Sequence, residues 1–161
     1  MCFVLYMASD RLRREIPWDE ENPMFHVKTN DADAQKTRSH FIKRHIHYLG
    51  SDNGCGCGFK RDPEWVIDQT DLDETELTKL ASCKDNQRRV HDYLLECLHD
   101  EEMIELFGCW SGDEELPTEK SRTVDVNALI AQDFWFEERE HITITMAKQQ
   151  VQPIDGKTGP G

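Results

Sequence analysis

Cys2-Phe3-Val4-Leu5-Tyr6-Met7-Ala8 is an apolar run with no polar interruption. A strand with one wet face alternates apolar and polar side chains, whereas a strand covered on both faces does not. The run is therefore predicted to be an inner strand of a sheet with layers on both sides. The rest of the chain is read by asking what supplies its neighbours.

Working outward, residues 24–29, 45–49 and 101–109 are predicted strands. Residues 139–146 alternate, with Ile142, Ile144 and Met146 on one face and His141, Thr143 and Thr145 on the other, which predicts a half-buried strand. Residues 10–23 carry Pro17 and Pro23 and read as a loop. Residues 31–43 carry helix formers behind an N-cap at Asn30 or Asp31. The main helix is predicted over 84–98. There Val90, Leu94, Cys97 and Leu98 fall at i, i+4, i+7 and i+8, with Ser82 and Asp85 as a capping box. Leu77, Leu80 and Ala81 read as a short separate segment, residues 111–122 as a polar loop, and residues 124–130 as a helical turn capped by Asp125. About five strands, clustered at both ends of the chain around two or three helices, imply an α+β fold with a mixed or antiparallel sheet. The expected organisation is one domain over 1–147 and a flexible tail over 148–161.

Composition narrows the function classes. The 161 residues are 37% hydrophobic and 32% charged, enough apolar material for one core and too much for a wholly disordered chain. No stretch approaches the eighteen apolar residues of a membrane span. The net charge is −13. Residues 1–61 carry ten Lys/Arg and eight Asp/Glu, and residues 62–161 carry nine and twenty-four. So acidic a surface disfavours nucleic acid and anionic membranes. It leaves a basic protein partner as one reading of the C-terminal half. The opening residues lack the basic region and the small-residue cleavage site of a signal peptide. A cytoplasmic chain is expected, with its six cysteines reduced.

Residues 50–58, Gly-Ser-Asp-Asn-Gly-Cys-Gly-Cys-Gly, form the candidate site on chemical grounds. Thiolates at Cys55 and Cys57, flanked by glycines, are able to turn toward one point and ligate a soft metal such as zinc. A single C-x-C has no second knuckle, so further ligands must come from His45, His47, Cys2 or Cys109. On a strand His45 and His47 share a face, which offers two imidazoles to one ion; alternatively Ile46 and Tyr48 face the core and the histidines face water. The same loop also fits an anion nest built from the N–H groups around Gly54, Gly56 and Gly58, with Lys60 and Arg61 beside it. A third reading is thiol catalysis by Cys2 or by the Cys55/Cys57 pair. In the fourth, the cysteines are small buried hydrophobes.

Two resemblances bear on these readings. Met1-Cys2 resembles the start of class II glutamine amidotransferases, which open Met-Cys-Gly and use the cysteine as nucleophile, but Phe3 stands here in place of the glycine. Met1-Cys2, Leu5-Tyr6, Ala8-Ser9, Ile16-Pro17-Trp18-Asp19-Glu20, Gly54-Cys55-Gly56-Cys57-Gly58-Phe59 and Gly108-Cys109-Trp110 together resemble a small group of bacterial proteins with no assigned activity. That resemblance implies a bacterial cytoplasmic protein of one compact domain, and it transfers no catalytic residue.

Overall fold

The apolar run becomes β1 (Phe3–Ser9), and every residue of it is buried. The structure, a computed structural model, describes residues 1–29, 31–60 and 72–147. Arg61, much of the acidic stretch after it and the expected tail lie outside the described residues.

Around β1 the sheet gains β2 (His26–Lys28), β3 (His45–Gly50), β4 (Met103–Trp110), β5 (Lys120–Asp125) and β6 (Glu140–Thr145), in the order β2-β3-β1-β4-β6-β5. All pairings are antiparallel except β5 with β6, which is parallel. The fold is thus α+β with a mixed sheet, of six strands and not five. The additional strand, β5, starts inside the stretch read as a polar loop. Its sequence Lys-Ser-Arg-Thr-Val-Asp has an exposed first two-thirds, so no apolar period marks it. Pairing with β6 makes it a strand, and its charged side chains suit an edge that must not recruit another chain.

Layers cover both faces of β1, as its composition requires. On one face Phe3, Leu5 and Met7 join Leu49, Leu106, Ile142 and Ile144 beneath α2 (Glu74–Cys97). On the other, Val4, Tyr6 and Ala8 join Ile46, Phe107 and Cys109 beneath Phe41 and Ala34 of the short α1 (Ala32–Lys36) and its sequel. Asp31 caps α1, accepting the N–H groups of Asp33 and Ala34.

The main helix begins ten residues before its predicted start. Asp73 and Glu76 form the capping box, each side chain accepting the other's backbone N–H. Glu74 and Glu76 also place negative charge against the positive end of the helix dipole. Ser82, the predicted cap, is instead interior to the helix and donates to Asp52 Oδ2 at 2.8 Å. Asn86, one turn on, donates to Asp52 Oδ1 at 2.7 Å. These two contacts tie α2 to the glycine-rich loop. Among the described residues no helix is long and apolar enough to cross a membrane.

Candidate metal centre

The loop after β3 is organised by Ser51. Its N–H and hydroxyl both donate to the Cys55 carbonyl, at 2.8 and 2.6 Å. Its hydroxyl accepts the Gly58 N–H at 3.1 Å, and its carbonyl accepts the Gly54 N–H at 3.0 Å. Gly54 takes φ +79°, a conformation that glycine adopts without penalty. At Gly56 the reason for glycine is space: a Cβ would lie 2.8 Å from the Phe3 carbonyl oxygen and 3.1 Å from Val4 Cα. The loop therefore touches the backbone of β1. Residues Gly56–Phe59 form a 3-10 turn, and buried Phe59 packs edge-on against Phe25 and Phe136, which fixes the loop's exit.

This contact brings Cys57 to the start of β1, where Cys57 Sγ accepts the Phe3 N–H at 3.2 Å. Cys55 Sγ accepts the Cys57 N–H at 3.4 Å. Cys2, the residue before Phe3, completes the group, with the three sulfurs all within 4.8 Å of one another. The six cysteines are free thiols. A tetrahedral zinc with Zn–S of about 2.3 Å holds its sulfurs about 3.8 Å apart, so closure on an ion asks for movement of about 1 Å or less. Backbone N–H groups point at two of the sulfurs, the kind of donor that supports thiolate ligands in a metal site. Burial first, and then the neighbouring sulfurs of Cys57 and Cys2, push the Cys55 thiol up to about 12.

The other sequence candidates go elsewhere. His45 stands opposite Ser9 and His47 opposite Met7, at the far end of β1 from Cys2. His47 is fully buried on the α2 face, where its Nε2 accepts the Arg13 N–H at 3.0 Å. His45 and His47 do share a face, but His47 is buried and not turned to water, while Ile46 is buried on the other face. Cys109 lies beside Val4 in the second core, and burial pushes its thiol up to about 12. Of the donors expected to form an anion nest, the N–H groups of Gly54 and Gly58, and that of Cys57 between them, are engaged within the loop. Lys60 lies over Trp110, its Nζ 4.1 Å from the ring centroid.

Two residues that the sequence did not mark frame the site. Trp18 lies against Gly54, 3.6 Å from the position of a Cβ there, and the Tyr48 hydroxyl donates to the Gly54 carbonyl at 3.4 Å. No spacing rule flags either one, since both depend on a contact across the sheet face. Comparison of the chain with protein-family models, curated proteins and solved structures finds no match.

Proposed function

We propose that the protein binds one thiophilic metal ion, zinc in the cell, through Cys2, Cys55 and Cys57. The convergence of three sulfurs from two segments more than fifty residues apart is the observation that carries this reading. Three thiolates leave a tetrahedral ion one position for water or an incoming ligand. Reduced thiols of this kind suit the cytoplasm, where the protein is proposed to act. Thiol catalysis with Cys55 as nucleophile draws less support, because burial pushes that thiol up to about 12, the reverse of an activated nucleophile.

Elemental analysis of protein prepared without a polyhistidine tag tests the proposal. Near-stoichiometric zinc is expected, and it should be lost in Cys57→Ser. Titration of metal-free protein with cadmium should build a thiolate-to-metal charge-transfer band that saturates at one equivalent. Protein that carries no metal and gives no such band would refute the assignment.

A further inference from the structure

A second feature lies beside the sulfur cluster and does not depend on it. A cavity of about 400 Å³ opens on the face of the sheet opposite α2, within the usual size range of small-molecule sites. It borders the cluster through Gly54, the neighbour of Cys55, and through Ser111, whose N–H donates to the Cys2 carbonyl at 2.8 Å.

Its lining is aromatic and acidic. Tyr6, Tyr48, His26 and Trp18 form a continuous series of rings. Centroid separations are 5.8 Å from Tyr6 to Tyr48, 5.9 Å from Tyr48 to His26 and 4.7 Å from His26 to Trp18. The close packing has a cause in the backbone, because His26 lies over Gly50, where a Cβ would fall 1.9 Å from its ring. At the rim stand Asp31 and Asp33, with Lys28 as the cationic side chain among the cavity's residues. One Asp31 oxygen is fixed by the N-cap of α1, and the other faces Lys28 Nζ at 3.8 Å. Lys28 is well exposed, so this contact is weak and the ammonium is free to swing out.

The charges around the rings agree with one class of ligand. Burial lowers the pKa of His26, which leaves the ring uncharged at neutral pH. Burial, and then nearby charges that include Asp31, raise the pKa of both Tyr6 and Tyr48. The rings are therefore neutral π faces in the field of a carboxylate. Such faces attract cations through their quadrupole, and organic ammonium groups are their usual partners.

We propose that this cavity is a binding site for an organic ammonium group, which rests on the Tyr48, His26 and Trp18 rings with Asp31 as its counter-ion. Two sources share that chemistry: a free small amine and a methylated lysine on a peptide.

The test titrates the intact protein with choline and with 3,3-dimethyl-1-butanol, its uncharged isostere, by calorimetry and by tryptophan fluorescence. Choline should bind about ten-fold more tightly than the isostere, the scale of a partly desolvated cation–π contact. Equal affinities, or no choline binding, overturn the proposal. Trp18→Leu and Tyr48→Leu should each weaken choline about ten-fold, while Tyr48→Phe, which keeps the ring, should not. Asp31→Asn keeps a good N-cap for α1 and removes the charge, so it should weaken choline with helix content unchanged. Lys28→Met should tighten binding. A peptide carrying trimethyl-lysine completes the series. If it binds more tightly than choline, the ligand is a protein tail; if more weakly, a small molecule. All these measurements apply equally to metal-free protein, so their failure leaves the zinc reading standing, and the reverse.

Discussion

The two ends of β1 carry the two polar clusters that most shape this molecule, and they are built on opposite principles. At the Ser9 end, Glu101, whose side chain is 5% exposed, accepts hydrogen bonds from the Ser9 hydroxyl, the Asp10 N–H and Arg13. Lys43 adds ion pairs to Asp10 at 2.6 Å and Glu101 at 3.4 Å, and Arg13 one to Asp100 at 2.7 Å. Every charge there has an opposite charge beside it. At the Cys2 end, three sulfurs converge with two backbone donors. A network of paired charges holds structure together, whereas a convergence of like ligands is a place for something to bind. The distance between the ends, seven residues or about 23 Å of strand, lets each be tested alone.

The largest effect is expected at the closed end. Glu101→Ala leaves Arg13 and Lys43 short of a buried partner and should destabilise the fold by about 3 kcal/mol, with zinc content unchanged. Loss of zinc in this variant would break the contrast between the ends. Acid provides the same test without mutation. Burial alone would raise the Glu101 carboxyl, but its hydrogen bonds from Ser9, Asp10 and Arg13 outweigh burial and hold it below the usual carboxylate range. Glu105 behaves alike, with His141 and the Lys43 and Ile42 N–H groups opposing burial. A carboxyl whose pKa is lowered on folding contributes its full stability above the unfolded value, about 4.3 for glutamate, and loses it as pH falls through the folded one. At the open end protons compete with metal for thiolates. Acidification of the zinc-loaded protein should therefore release zinc first, read by a chromogenic chelator. Unfolding, read by circular dichroism, should follow below about pH 4.

The closed end was nearly invisible in the sequence and the open end only half visible. Ser9, Arg13, Lys43 and Glu101 are scattered polar residues with no common spacing, and only the register of β1 with β3 and β4 gathers them. The glycine–cysteine loop stood out because its composition is rare. Its third sulfur, Cys2, was one of several possible supporters, and nothing local to residues 50–58 chooses it over His45, His47 or Cys109. The choice is made by the fit of Gly56 against the Phe3 carbonyl, a contact between segments far apart in sequence. The fold shows the same division. β1 was legible because burial on both faces leaves an unbroken apolar run. β5 was not, because an exposed edge strand held by its partner has no pattern of its own. The first turns of α2 were hidden for the related reason that their side chains are largely exposed.

A smaller effect should separate loop position from ligand identity. Gly56→Ala leaves all three sulfurs in the chain, but its Cβ meets the backbone of β1 and not a flexible side chain. The loop must move away, at a cost of about 1–3 kcal/mol. Zinc affinity should fall at least about ten-fold, measured by competition with a chelating dye. Unchanged affinity would mean that the cluster tolerates displacement and that the close approach to β1 serves packing alone.

The smallest effect is expected at Tyr48. Its hydroxyl reaches the Gly54 carbonyl at 3.4 Å, beyond the range of a strong hydrogen bond. The loop is already held from the other side by Ser51, and by Ser82 and Asn86 of α2 through Asp52. If those contacts position the sulfurs, Tyr48→Phe should cost less than about 1 kcal/mol, seen as a small shift of the denaturation midpoint at constant slope, and zinc content should stay as it was. A loss comparable to that of Gly56→Ala would show that the loop is held from the cavity side as well. The sulfur cluster and the aromatic cavity would then share a support, and a ligand in one would be felt at the other.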